Sequence, residues 1–311
     1  MQGMSALEKL WQHHCDPAHQ NMPQDVALWR LQVKTLYANN IAHPMALKFL
    51  IEERPTLQAF FDWIDDSRKS YQLLEEPAEF EETDYRLSPE QITFWKKHGY
   101  LVLPKVIDAA ACAASCEAVW EFLDANLREP ASWYGAQSRQ QGLMLPLYNH
   151  PRLNTNRASK RVRAVYEQLY GTSAIYKTID HLSFNPPETA EFTFRGNGLH
   201  WDVSLAQPIP ERYQGLLYLS DCDEGDGAFH CVPGFQHQIG RWLSELPCSE
   251  NPRQIAAQSL RPRAVPGKAG DFVIWHQALP HCATPNYGKT PRMVQYLTYI
   301  PDDHVEHSVW I

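Results

Sequence analysis

The stretch "GNGLHWDVSLAQP", which begins at Gly196, sets His200 and Asp202 two residues apart. An imidazole and a carboxylate at that spacing can reach one metal ion in an extended chain, because residues i and i+2 of a strand point to the same side. The pair alone carries little weight. The chain has 14 histidines, and His14-Cys-Asp16 and His304-Val-Glu306 repeat the pattern. His14 falls in an expected loop before Pro17 and His304 in the tail after Pro301, and neither has a suitable third ligand. His200 and Asp202 have one within reach in "WHQALPHCATPNYGKTPR", which offers His276 and His281. Arg292 stands 11 residues beyond His281, whereas the same step from His276 reaches Tyr287, which cannot pair with a carboxylate as a cation. The spacing favours His281.

Two imidazoles and one carboxylate on one side of a metal leave neighbouring positions open, which suits non-haem Fe(II) working with O2. A guanidinium nearby can take the far carboxylate of 2-oxoglutarate in a bidentate pair. Fe(II), 2-oxoglutarate and O2 are therefore the expected cofactor and co-substrates. Trp201, between the two ligands, is expected to point the other way into the core. Gly196 and Gly198 are expected to let backbone or ligand come close.

The ligands need rigid elements to hold them. From about residue 172 the chain reads as short segments rich in β-branched and aromatic residues: "SAIYKTIDHLSF", "EFTF", "GLHWDVSL", "YQGLLYLS", "GAFHCV", "GDFVIWH" and "RMVQYLTYI". Gly, Pro, Asn or Asp separates them, which indicates an antiparallel barrel or sandwich. Upstream, "LSPEQITFWKKHGYLVLP" predicts a helix capped by Ser88, with Pro89 in its first turn and Gln91 closing a capping box. Gly99 ends it before a short strand. A second helix is expected over about 108–127, capped by Asp108. Residues 1–84 read as a helical extension, with Leu47, Leu50, Ile51, Leu57, Phe60, Phe61 and Ile64 on apolar stripes, and 75–84 as an acidic connector. The expected division is a helical extension over 1–84 and a strand-rich domain over 85–311.

With 311 residues, 44% apolar and 21% charged, the chain has the composition of an ordinary globular protein. A net charge of -8 provides no field for nucleic acid or an anionic membrane. No secretory signal and no membrane span are read in it, and seven cysteines without a CxxC pair suggest free thiols in the cytoplasm. Cys112 and Cys116 read as buried small residues on a helix.

The segments 87–104, "HWD", "GAFHCVPGFQH" and "GDFVIWHQALPHCATPNYGKTPR" resemble the phytanoyl-CoA dioxygenase family of Fe(II)/2-oxoglutarate oxygenases over about residues 87–300. That resemblance implies a double-stranded β-helix, a cupin-like jelly roll, within a mainly β chain that also carries helices (α+β). It implies that His200, Asp202 and His281 bind iron and that Arg292 anchors 2-oxoglutarate. After the distal histidine the family often has Gly-Ser, with the serine helping to hold the co-substrate. Here Cys282-Ala283 stand instead, and Thr284, one step later, is the substitute. Lys177, with Tyr176, His181 and Ser183 on the segment before "HWD", is a further candidate for 2-oxoglutarate. Related halogenases replace the carboxylate ligand with a small residue, so Asp202 favours hydroxylation, or an oxidation such as desaturation, over halogenation.

The expected partner is a small organic substrate. The basic run "RLNTNRASKRVR" reads as a solvated helix face or as a site for an anionic or carrier-bound substrate. His237 reads as a loop-ordering residue, and 132–151 as scaffold or as a cover for the iron mouth. The alternative function is a non-oxidative metal-binding jelly roll, such as an isomerase or a ligand-binding module, for which Arg292 has no use. Substrate identity and oligomeric state are left open by the sequence.

Overall fold

Leucines and aromatics at helical spacing bury one face of each of the first four helices. These are α1 (Gln2–Cys15), α2 (Val26–Ala38), α3 (His43–Glu52) and α4 (Leu57–Gln72). Leu7, Leu10, Leu36, Ile41, Leu50, Phe60 and Ile64 close into a core of their own, as amphipathic helices must to be stable. Ile51, expected on the same stripe, is exposed. The computed structural model describes residues 2–19, 25–72, 85–135, 140–247, 249–307 and 309–311, so the acidic run 75–84 lies outside the described residues. No helix among them is long and apolar enough to cross a membrane.

Helix α5 (Pro89–His98) begins on the expected capping box. Ser88 Oγ accepts from the Gln91 backbone N–H, and Gln91 Oε1 accepts from that of Ser88. Gly99 ends it at φ 74°, a left-handed turn that a side chain would strain. The chain then enters β1 (Tyr100–Leu103) and α6 (Ala109–Leu123), which Asp108 caps through Ala111 N–H. Asp124, in the left-handed region, stops α6 short of residue 127. Cys112 is buried on it and Cys116 half-buried. There follow β2 (Met144–Leu145), α7 (Pro151–Arg157), α8 (Lys160–Tyr170), β3 (Ile175–Lys177), β4 (Leu182–Asn185), β5 (Tyr213–Tyr218), β6 (Phe229–Cys231), α9 (Ile239–Glu245) and α10 (Pro252–Ser259). The last strands are β7 (Arg263–Val265), β8 (Phe272–His276), β9 (His281–Cys282), β10 (Arg292–Tyr296) and β11 (Tyr299–Pro301).

All pairings of these strands are antiparallel. A six-stranded sheet runs β1-β8-β5-β10-β4-β2, a three-stranded sheet β7-β6-β9, and β11 pairs with β3. Side-chain alternation sets the layers. Phe272 and Ile274 of β8, Leu217 of β5 and Met293 of β10 join one core with α5, α6 and α8. Their neighbours Val273, Trp275, Leu216, Tyr218 and Val294 join a second core with Phe229, Cys231 and Val265 of the small sheet. The large sheet therefore has helices on one face and the small sheet on the other.

Two expected strands are each split. "SAIYKTIDHLSF" breaks between β3 and β4, where Thr178 Oγ1 hydrogen-bonds Asp180 and its N–H donates to Thr298 O. "RMVQYLTYI" breaks at the matching place, between β10 and β11. Both segments thus leave the large sheet together for the two-stranded one. "EFTF" is not a strand, because Thr189 Oγ1 accepts from the N–H groups of Glu191 and Phe192, and Glu188 takes that of Phe194. "GLHWDVSL" makes only one bridge, from His200 to His281.

Candidate metal centre

That bridge brings the two histidines together. His200 N–H donates to His281 O at 3.0 Å and His281 N–H donates to His200 O at 2.9 Å. Their rings follow, with centroids 4.7 Å apart. Two residues on, the Asp202 carboxylate lies between them, with Oδ1 3.5 Å from His200 Nε2 and Oδ2 3.1 Å from His281 Nε2. The three donor atoms lie within 4.8 Å of one another, and this is the single such group among the described residues. Neither His14-Cys-Asp16 nor His304-Val-Glu306 forms one.

Hydrogen bonds behind the rings assign their tautomers. His200 Nδ1 lies 2.7 Å from Gly198 O and His281 Nδ1 3.1 Å from Leu279 O. A carbonyl only accepts, so each Nδ1 carries a proton, which leaves each Nε2, the nitrogen beside Asp202, as the one that can bind a metal ion. This is the arrangement that metal-binding histidines adopt. Burial opposes charge at both His200 and Asp202, but the pair overcomes it. Hydrogen bonding to Asp202 raises the His200 pKa, and the two imidazoles hold the Asp202 carboxyl far below the usual carboxylate range. The donor set fits a divalent metal ion that takes nitrogen and oxygen ligands.

The centre opens into a cavity of about 510 Å³, large enough for a small organic ligand. Phe229 and Trp275 wall it beside His281, with ring centroids 5.8 and 5.2 Å from the imidazole. Arg292, the first residue of β10, is 2% exposed yet lines this cavity. Its Nη1 donates to Ser183 Oγ at 3.2 Å, and its Nε is buried with no hydrogen-bond partner. Among the described residues no carboxylate pairs with it. A buried guanidinium left this way is costly unless an anion meets it, and the cavity is the side of Arg292 open to one.

The other candidates fall out differently. Lys177, on β3, and Thr284, past β9, do not line the cavity. The break at 178–181 carries Lys177 into the two-stranded sheet, and Thr284 O accepts from Asn185 Nδ2 at 3.0 Å. Tyr176 is also off the cavity, whereas His181 lines it. Trp201 is buried, with Nε1 donating to Ala278 O at 2.9 Å. His237 bonds to Lys96 O across 2.7 Å and orders its loop. Gly196 packs close to Phe194 and Leu143, while Gly198 has open space around it. The basic run of α7 and α8 forms ion pairs such as Arg152–Glu117 and Arg163–Glu167, away from the cavity. Residues 141–144 line its mouth.

Sequence reading missed Gln214, Arg212, Asp180, Tyr296 and Thr298, all on the cavity wall. For Gln214 a signal existed: it shares the inward face of β5 with Leu216 and Tyr218. Arg212 is held by the Glu306 carboxylate, whose pKa the His304 hydrogen bond and then Arg212 lower to about 2 against its burial.

The profile of the phytanoyl-CoA dioxygenase (PhyH) family matches residues 95–294, which include all three donors and Arg292. The chain belongs to the phytanoyl-CoA dioxygenase family. It is therefore an enzyme of the iron- and 2-oxoglutarate-dependent superfamily, and its His-Asp-His group is a candidate metal site. A candidate phytanoyl-CoA dioxygenase of Dictyostelium discoideum is 22% identical over 265 residues, covering 68% of this chain and 75% of that protein. Among solved structures, the alpha-ketoglutarate-dependent carbocyclase SnoK from nogalamycin biosynthesis is similar at a TM-score of 0.52 and 22% identity, over 71% of this chain and 87% of its own. The epimerase SnoN, solved with Fe3+, alpha-ketoglutarate and nogalamycin RO, gives 0.51 and 16%, over 70% and 84%. HygX from Streptomyces hygroscopicus, with nickel, 2-oxoglutarate and hygromycin B, gives 0.50 and 18%, over 70% and 88%. This family member shares their fold.

Proposed function

We propose that the protein is an Fe(II)- and 2-oxoglutarate-dependent dioxygenase that hydroxylates a small organic molecule, releasing succinate and CO2. One observation carries the reading: His200, Asp202, His281 and a buried Arg292 with no carboxylate partner among the described residues face one cavity. In this reading the two sheets are the halves of a double-stranded β-helix within 85–311, and α1–α4, within 1–84, belong to a separate extension with its own core. The described cysteines are free thiols, which supports a reducing, cytoplasmic setting.

His200 and His281 hold the metal through Nε2 while their Nδ1 protons stay on backbone carbonyls. Asp202 contributes the anionic ligand. Arg292 binds the remote carboxylate of 2-oxoglutarate and so orients its other end toward the metal. Phe229 and Trp275 exclude water beside the ligands. When bound, iron and 2-oxoglutarate supply the oxidising power that activates O2 against a C–H bond of the substrate. Asp180, His181, Arg212, Gln214 and Thr298 give the remaining wall a polar character, which supports a polar substrate over a long acyl chain. The non-oxidative alternative leaves Arg292 without a purpose.

The test is to add 2-oxoglutarate to anaerobic Fe(II) protein. A weak visible charge-transfer band, followed by succinate release on admitting O2 with candidate substrates, is expected. Absence of the band would favour a metal-binding protein that does not use 2-oxoglutarate.

A further inference from the structure

Asp202 has little backbone support. Beyond the single bridge at His200 the chain leaves the sheet, and Arg253 takes the carbonyls of Trp201 and Val203 at 2.8 and 2.7 Å. Three groups contact the carboxylate itself among the described residues: the two imidazoles and Gln214, whose Nε2 donates to Oδ2 at 2.9 Å. The imidazole contacts cannot persist in the loaded site, since a metal ion takes the place of the protons between Nε2 and carboxylate. Among the described residues, the Gln214 amide is then the one contact left to orient the carboxylate.

Gln214 is suited to that task. It lies on β5, paired through backbone with Trp275 of β8 in the middle of the large sheet, so its Cα is fixed. An ionised carboxylate only accepts, which settles which end of the amide faces Asp202. Its Oε1 is consequently turned away, buried and without a partner among the described residues, and is a ready acceptor for a hydroxyl or amine in the cavity.

We propose that Gln214 is a positioning residue: it holds the Asp202 carboxylate in the orientation that binds metal. The proposal rests on the oxygenase reading above, because it needs Asp202 to be a ligand. Ligand-orienting partners of this kind are typically worth about 10- to 100-fold in metal affinity.

The experiment uses the full chain, Co(II) as the probe, and the variants Gln214→Met, close in size but without the amide, and Gln214→Asn, too short to reach. Dissociation constants are read from calorimetry and from the visible Co(II) bands, alongside the thermal midpoint of the metal-free protein. Wild type is expected to bind Co(II), and the variants to bind roughly 10- to 100-fold more weakly with altered bands and unchanged metal-free midpoints. A variant that fails to fold is replaced by the other. Variants that match wild type within about twofold would overturn the role of Gln214 alone. Wild-type protein without Co(II) affinity would overturn the metal-site reading and this proposal with it.

Discussion

His276 and His281 lie close together in one segment, yet His276 ends β8 of the large sheet and His281 begins β9 of the small one. Each has a carboxylate beside it: His281 Nε2 is 3.1 Å from Asp202, and His276 Nε2 is 3.4 Å from Glu211. The difference lies behind the rings. Nδ1 of His281 faces the Leu279 carbonyl, whereas Nδ1 of His276 accepts the Ala278 N–H at 3.0 Å. The carbonyl protonates Nδ1 and frees Nε2 for a metal. The amide does the reverse, so His276 carries its proton on Nε2 and donates it to Glu211. The backbone partner therefore decides which histidine can be a ligand, and which is a structural donor. Alternation along β5 and β8 sorts the neighbours, with Trp275, Gln214 and Arg212 on the metal side and Tyr213 and Glu211 with His276.

Breaking the metal side should have the largest effect. His281→Ala or Asp202→Ala is expected to abolish 2-oxoglutarate-dependent succinate formation and to weaken Fe(II) binding by more than about 100-fold, beyond what an outer partner contributes. Near-normal turnover in either variant would contradict the ligand assignment. Arg292→Ala comes next. Losing charge-assisted hydrogen bonds of roughly 1.5–3 kcal/mol should raise the KM for 2-oxoglutarate about 10- to 150-fold, while Fe(II) affinity stays near wild type. An unchanged KM would remove Arg292 from its role.

Much of this site was legible. The triad and Arg292 were readable because their types and spacing converge on one chemistry, and the capping box before β1 because its reciprocal bonds are local. What was not legible depended on long-range partners. "GLHWDVSL" has strand composition, but the Ala278 carbonyl draws off Trp201 and Arg253 takes the neighbouring carbonyls, so one bridge replaces a ladder. Lys177 looked adjacent to His181 and Ser183 because nothing local announces that the chain changes sheets at 178–181. The tautomers of His276 and His281 likewise depend on a turn geometry that no spacing encodes.

Smaller effects sharpen the contrast on the other side of the sheet. His276→Gln should leave Co(II) and Fe(II) affinity within about twofold of wild type and cost about 1 kcal/mol of stability through the weakened Glu211 contact; loss of metal binding would mean the two histidines had been misassigned. The smallest effect is a pH dependence. The hydrogen bond from His276 is the main cause that lowers the Glu211 pKa from 4.5, burial opposes it, and Tyr213 adds to the lowering. A depressed carboxyl stabilises the fold fully above its unfolded value and loses that contribution as pH falls through the folded one. The gap in thermal midpoint between wild type and Glu211→Gln, modest because the side chain is exposed, should narrow as pH falls below the ordinary value of 4.5. A gap that widens would contradict the pairing.

The most direct measurement is a crystal structure of the protein with Mn(II) and 2-oxoglutarate, the metal located by anomalous scattering. The account predicts one ion shared by His200 Nε2, His281 Nε2 and the Asp202 carboxylate, with the far carboxylate of 2-oxoglutarate on Arg292. An ion bound at His276 and Glu211, or a 2-oxoglutarate that leaves Arg292 untouched, would contradict it.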